Sequence, residues 1–109
     1  MDIKAFEYVN AIVEYGSISK AAETLYISQP ALSQYLKNLE SELGTKLFIR
    51  DGTRLILTAA GETFIKSGNV ILRSYKTMCS QISDSKEKKI INIRIGMSPF
   101  YAKFYMPMI

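Results

Sequence analysis

The sequence has 109 residues, of which 48% are hydrophobic and 22% charged, and its formal net charge is +4. This length suits one domain, and this composition excludes a collagen-like or disordered chain. No apolar run reaches the roughly 20 residues that cross a bilayer, and no secretory signal precedes the first periodic segment. His is absent and Cys79 is the one cysteine, so we expect a cytoplasmic, non-membrane protein without a disulfide, a metal site or a cofactor.

The first part of the chain predicts two helices. Apolar residues spaced by three or four predict an amphipathic helix from Asp2 to Tyr15, with Asp2 as its cap and Gly16 as its stop. A short second helix follows, to about residue 25. Either Ser17 or Ser19 caps it, and the pattern alone leaves this choice open.

A third helix is predicted after a brief connection at residues 26–27. Ser28 is its cap, and Pro30 lies in its first turn, where a missing N–H costs little. Gly44 ends it, because glycine tolerates the left-handed conformation found at helix ends. Two short helices joined by a tight turn are typical of a helix-turn-helix.

The period then changes to that of strands. Residues 47–50 and 53–57 flank Asp51-Gly52, a pair that favours the positive φ angles of a tight hairpin turn. Helix, helix-turn-helix and hairpin together predict a winged helix-turn-helix over residues 1–58. The expected fold class is therefore mainly α with a small β-hairpin, followed by a long dimerisation (linker) helix.

The rest of the chain predicts that helix and the start of a second domain. Thr58 is the predicted cap of a helix over residues 59–83, and the polar residues 84–89 are predicted to be a hinge. Residues 90–96 predict a strand. Since one strand is not stable alone, we expect residues 90–109 to be the truncated start of another domain.

One face of the long helix carries apolar residues in heptad-like spacing. At ~37 Å for about 25 residues, the helix is longer than the small preceding domain can cover, which predicts a dimer contact. The candidate dimerisation residues are Phe64, Ile65, Gly68, Ile71, Leu72, Tyr75, Met78, Cys79 and Ile82. The alternative is packing against its own domain, and Cys79 is interpreted as a small buried hydrophobe rather than a redox sensor.

A winged helix-turn-helix reads duplex DNA with the helix after the turn, while its hairpin touches the backbone or minor groove. Glutamine pairs with adenine, hydroxyls bond bases or phosphates, and a proline ring can contact a thymine methyl. The candidate DNA-binding residues are Ser17, Ser19, Ser28, Gln29, Pro30, Ser33, Gln34, Lys37, Arg50 and Arg54. The alternative is a generic three-helix core and hairpin on which these polar side chains are merely solvated.

The run Gly16–Ser33, GSISKAAETLYISQPALS, resembles the DNA-binding part of LysR-type bacterial transcriptional regulators, and the likeness continues through Leu57-Thr58-Ala59-Ala60-Gly61. The resemblance implies that Gln29, Pro30 and Ser33 face bases, that the hairpin arginines hold backbone and that the long helix pairs with its mate. It also implies that residues 90–109 begin a periplasmic-binding-protein-like effector domain.

Within that domain the resemblance implies a loop in which Ser98 contacts a small-molecule effector, the alternative being a helix cap before Pro99. Two positions depart from the family pattern. Gln34 stands where arginine is frequent, and Asp51 stands at a hairpin tip that is usually richer in arginine. We therefore expect weaker backbone affinity or a different target preference.

The leading hypothesis is a sequence-specific DNA-binding transcriptional regulator that binds a two-half-site operator as a homodimer. In the full-length parent it responds to an effector and is a dimer or a tetramer. The alternative is a winged-helix module for protein–protein contact. An enzyme is not expected, because histidine, paired acids at a pocket-like spacing and a glycine-rich phosphate loop are all missing.

Overall fold

The computed structural model describes residues 1–89, and the mainly α fold with a small hairpin is confirmed there. The elements in chain order are α1 (Ile3–Tyr15), α2 (Ile18–Thr24), α3 (Gln29–Leu43), β1 (Phe48–Asp51), β2 (Arg54–Leu57) and α4 (Ala59–Lys89). Contacts among residues 1–70 group them into one compact unit. Among residues 1–89, no helix combines the length and apolarity needed to cross a membrane.

The ends of α1 and α2 follow local signals, with one correction. Gly16 ends α1 in the left-handed region at φ 64° and donates its N–H to Ile12 O. Ser17, rather than Ser19, caps α2, since its Oγ accepts from the backbone N–H of Lys20 at 3.2 Å. Asp2 occupies the cap position of α1, but its side chain makes no capping hydrogen bond and instead accepts from Tyr35.

The carboxylate of Asp2 ties the start of α1 to α3. Tyr35 Oη donates to Asp2 Oδ1 at 2.8 Å, and the rings of Tyr35 and Tyr8 meet edge to face with centroids 4.8 Å apart. The Tyr35 hydrogen bond lowers the pKa of Asp2, while burial and the same bond raise the pKa of Tyr35. Nearby, the Met1 amine contacts both carboxylate oxygens of Glu42.

The predicted ends of α3 are confirmed. Ser28 Oγ accepts from Ala31 N at 3.2 Å, with Pro30 in the first turn. Gly44 ends the helix at φ 76°. These two local signals set where the exposed face of α3 begins and how far it extends.

The core lies beneath α1, α2, α3 and the hairpin. Its most enclosed large side chains are Val9, Ile12, Leu32 and Leu47, each 1% exposed or less. Full burial of such a side chain contributes about 1.5–3 kcal/mol. Because Leu32 belongs to α3 and Leu47 directly precedes β1, the same core fixes both the helix and the hairpin.

The hairpin is antiparallel, with Phe48 opposite Leu57 and Asp51 opposite Arg54. Its two-residue loop is therefore Gly52-Thr53, one position later than the predicted Asp51-Gly52. Gly52 has φ 68°, whereas Asp51 has no positive φ. The correction has a simple cause: Asp51 can extend β1, so glycine alone has to supply the unusual backbone conformation.

Helix α4 begins where predicted but runs further. Thr58 Oγ1 accepts from Gly61 N at 3.0 Å, and the helix continues through Lys89. The predicted hinge at 84–89 is thus wrong. The segment contains lysine and glutamate and neither glycine nor proline, and extending an existing helix requires no new nucleation. The strand at 90–96, the domain start at 90–109 and Ser98 lie outside the described residues.

The first turns of α4 pack against α1. The rings of Phe6 and Phe64 have centroids 5.2 Å apart, and Gly68 lies so close to the Phe6 ring that a Cβ there would stand 2.6 Å from Cδ1. Asn10 Nδ2 donates to Asn69 Oδ1 at 2.8 Å. Two apolar contacts and one amide pair therefore fix α4 on α1 within the compact unit.

Candidate nucleic-acid interface

The predicted reading residues share the exposed side of α3. Leu32, Leu36 and Leu39 are buried, which turns the side chains between them outward. Gln29 and Lys37 are exposed and Ser33 is half-buried. These three are spaced by four residues and so form one stripe along the helix.

The amino-terminal end of α3 is open to solvent. Ser28, Gln29 and Pro30 are all exposed, and the backbone N–H groups of a first helical turn favour an anion. The Ser28 oxygen already accepts the capping bond from Ala31, but its hydroxyl proton stays available to donate. This end can therefore contact both a phosphate and a base edge.

Gln34 is exposed on the same helix, and its side chain has a partner. Gln34 Nε2 donates to Asn38 Oδ1 at 2.9 Å, one turn further on. The bond holds the Gln34 amide along the helix and leaves its carbonyl oxygen as the group free to accept. Sequence reasoning missed Asn38, although the spacing of four residues is a known helical pairing.

The serines before and within α2 differ in what they offer. Ser19 is exposed, whereas Ser17 is half-buried and its oxygen accepts the α2 capping bond. Ser17 therefore contributes first to the helix end, and Ser19 has the freer hydroxyl group.

The two hairpin arginines lie in different surroundings. Arg50 is exposed on β1, opposite Leu55. Arg54 is also exposed, but its guanidinium lies against Gly16, where a Cβ would be 3.5 Å from Nε. A hydrogen bond from Leu55 N to Gly16 O at 3.3 Å joins the same two segments. Arg54 thus sits beside the junction of α1 and α2, whereas Arg50 forms no salt bridge within residues 1–89.

A recess of about 410 Å³ lies between α3 and the hairpin. Ser33, Lys37 and Arg50 line it together with Lys46, a cation that sequence reasoning missed. Glu40 lines the recess as well, but within residues 1–89 the salt bridge found is Met1–Glu42, so none of the three cations is ion-paired there. Unpaired cations beside an exposed polar helix face are suited to phosphate groups.

Tyr26, in the turn between α2 and α3, was not predicted to be unusual. It has φ 60°, and 94% of its surface is exposed. A bulky residue with positive φ is strained. This could not be predicted from the residue type, because glycine or asparagine is usual at such a position.

The predicted dimerisation residues do not share one environment. Ile71 and Met78 are exposed, Ile65, Leu72, Tyr75 and Ile82 are half-buried, and Cys79 is a buried free thiol. Phe64 and Gly68 contact Phe6 of the same chain. The exposed apolar residues of α4 are thus Val70, Ile71 and Met78, and Val70 was not among the candidates.

The sequence-family model for bacterial regulatory helix-turn-helix proteins of the lysR family matches residues 3–62. The chain belongs to this family. It is 38% identical to the HTH-type transcriptional regulator YtlI of Bacillus subtilis (strain 168) over 107 residues, which cover 98% of this chain and 34% of YtlI. The chain spans 33–37% of the length of three Bacillus subtilis regulators that it matches.

Solved structures of LysR DNA-binding domains share the fold. The CbnR DBD–DNA complex superposes with a TM-score of 0.73 at 29% identity, covering 78% of this chain and 98% of that one. The complex of the BenM DBD with benA site 1 DNA gives 0.73 at 34% identity, covering 77% and 94%. The predicted LysR resemblance and winged helix-turn-helix are therefore confirmed.

Proposed function

We propose that this chain is the DNA-binding part of a transcriptional regulator, with α3 in the major groove and the hairpin on the backbone. The observation that carries the proposal is the exposed stripe of Gln29, Ser33 and Lys37 on the helix that follows the turn. Membership of the lysR family supports it, as do the DNA complexes of structurally similar chains.

Each side chain has a role that follows from its chemistry and position. Gln29 pairs with an adenine edge, Pro30 contacts a thymine methyl, and Ser33 bonds a base or phosphate. Lys37 and Arg50 neutralise phosphates on opposite sides of the recess. Supporting roles at the backbone fall to Ser17, Ser19, Ser28, Gln34 and Arg54.

The whole protein acts as a homodimer on two half-sites in the cytoplasm, without catalytic activity. The exposed apolar residues Ile71 and Met78 of α4 support the dimer, since apolar side chains at helical spacing gain from burial. Phe64 and Gly68 serve the contact with α1 instead. In the full-length protein an effector tunes DNA occupancy, with Ser98 as a candidate contact, and a tetramer is the alternative assembly.

Fluorescence anisotropy tests the proposal with duplex DNA from upstream of the protein's own gene and a scrambled duplex, over a salt series. We expect preferential binding to the first duplex, falling steeply with salt. Gln29→Ala should lose the preference, because the base contact is removed. Arg50→Ala should weaken binding to both duplexes. It should also lower the salt slope, the dependence of log K on log[salt], by about 0.9.

Gln81→Ala is the matched control, because Gln81 is exposed but lies outside α3. It should bind both duplexes like the parent chain. Weak, salt-insensitive binding without any preference would contradict the proposal and favour a module that binds protein.

A further inference from the structure

Glu40 gathers four backbone N–H groups between α3 and β1. Its main-chain carbonyl accepts from Gly44 at 2.8 Å and Thr45 at 3.1 Å, which closes the end of α3. Its carboxylate Oε2 accepts from Leu47 N at 2.7 Å and from Phe48 N at 3.3 Å, where β1 begins. One residue therefore binds both the end of the helix and the start of the hairpin.

Residues 46–47 are held from their other side by Thr58 and the first turn of α4. Thr58 Oγ1 donates to Lys46 O at 2.7 Å, and Thr58 N donates to Leu47 O at 2.9 Å. Gly61 packs directly against the Leu47 carbonyl. The carbonyl groups of Lys46 and Leu47 thus accept from Thr58, while the N–H groups of Leu47 and Phe48 depend on the carboxylate of Glu40.

Removal of this carboxylate would leave two part-buried N–H groups without their acceptor. An orphaned buried donor carries the full cost of its lost solvation, so the backbone of residues 47–48 would shift or open to water. Arg50 lies two residues further along β1, and Lys37 lies three residues before Glu40 on α3. Any shift at 47–48 changes the distance between these two cations.

We propose that Glu40 is a positioning residue that sets the hairpin relative to α3, so that Lys37 and Arg50 reach the DNA backbone together. The DNA part of this inference rests on the proposed function. Glu40 Oε2 accepts from both the Leu47 and Phe48 amides, although the side chain also lines the recess, so we expect Glu40 to act through the hairpin rather than through DNA.

Amide hydrogen exchange tests the positioning without DNA. In Glu40→Ala, we expect faster exchange at Leu47, Phe48 and the hairpin, with α1 unchanged. Glu40→Gln keeps one carbonyl oxygen, which is all that both amides use, and should retain protection. Glu42→Ala is the matched control, because it removes a carboxylate from the same helix without touching the hairpin.

The salt dependence of DNA binding tests the consequence. Glu40→Ala should lower the salt slope by about 0.9, as Arg50→Ala does, and the double variant should lower it no further. Loss of a carboxylate near DNA would by itself strengthen binding, so a lowered slope separates positioning from simple charge. Glu40→Gln should restore the parent slope, because it keeps the acceptor for the 47–48 amides.

Unchanged exchange at residues 47–57 in Glu40→Ala would overturn the proposal, whatever DNA binding does. So would slope losses in Glu40→Ala and Arg50→Ala that simply add. Should Glu40→Ala fail to fold, Glu40→Asp keeps the charge but lacks the reach, and it should show the same losses. If the parent chain binds no duplex, the proposed function fails, and the exchange result still decides the role of Glu40.

Discussion

The guanidinium group of Arg54 lies against Gly16, across the junction between α1 and α2. The carboxyl end of a helix carries a partial negative charge, which a nearby cation stabilises. Arg54 therefore has a structural role that is separate from any contact with DNA. Arg50, on the other strand of the hairpin, forms no ion pair within residues 1–89.

This difference predicts opposite outcomes for the two arginines in folding experiments. Arg54→Ala should lower the free energy of unfolding by about 0.3–1 kcal/mol, and the loss should shrink at high salt. Arg50→Ala should leave stability unchanged. Urea denaturation at low and high salt measures both, and equal stability losses would contradict the assignment.

Two glycines of α4 should respond differently to alanine. At Gly61 a Cβ would run into the backbone carbonyl of Leu47, which Thr58 N holds in place, so we expect a loss of about 3 kcal/mol. At Gly68 the obstacle is the ring of Phe6, and the gain in helix propensity offsets part of the strain, leaving about 1 kcal/mol. Thermal unfolding gives both values, with the exposed Ser67→Ala as control, and the reverse order would refute the packing argument.

The bond between Tyr35 and Asp2 predicts a pH dependence with a definite sign. Asp2 has a pKa below its ordinary 3.8, so its contribution is present above that pH and lost as the pH falls. Tyr35 has a pKa above its ordinary 10.0, so its contribution is present below pH 10.0 and lost as the pH rises.

Tyr35→Phe removes the contribution of Tyr35 and the part of the Asp2 contribution that comes from this hydrogen bond. The difference in unfolding free energy between parent and variant should be constant at neutral pH and shrink at both extremes. Chemical denaturation across the pH range measures it. A difference that stays the same in strong alkali would show that the hydrogen bond does not form in solution.

Tyr26 predicts a gain in stability. The residue is strained by its positive φ. Because 94% of its surface is exposed, replacing its side chain removes little packing contact. Tyr26→Asn should raise the free energy of unfolding by about 1 kcal/mol, because asparagine tolerates the left-handed region. Tyr26→Phe keeps the strain and should change nothing, so a stabilised Tyr26→Phe would point to another cause.

The features that could be predicted from the sequence are those that depend on residues close together in the chain. Ser28 and Gly44 bound α3 as expected, because a cap and a left-handed stop act within one helical turn. The role of Glu40 could not be predicted in this way. The donors to its carboxylate, Leu47 N and Phe48 N, approach it only after the chain has turned between α3 and β1. The position of Arg54 likewise depends on its contact with Gly16, which ends α1 and lies 38 residues earlier in the chain.

The error at residues 84–89 has a different origin. The prediction of a hinge depends on the loss of apolar periodicity. That periodicity shows which face of a helix is buried, and an exposed helix can form without it. The single candidate face of α4 was also an oversimplification. Phe64 and Gly68 fit the heptad spacing because they pack on Phe6, and sequence spacing does not distinguish a partner chain from an intramolecular neighbour.

The amide pair of Asn10 and Asn69 determines which turn of α4 rests on α1. Apolar contacts such as Phe6 with Phe64 tolerate sliding, but a slip of one helical turn, about 5.4 Å, would separate the two amides and leave both part-buried groups unpaired. A single polar bond within an apolar contact can thus specify alignment, as asparagine does in coiled coils. The axial position of the first turns of α4 on α1 is therefore encoded by two side chains that contribute little to the hydrophobic core.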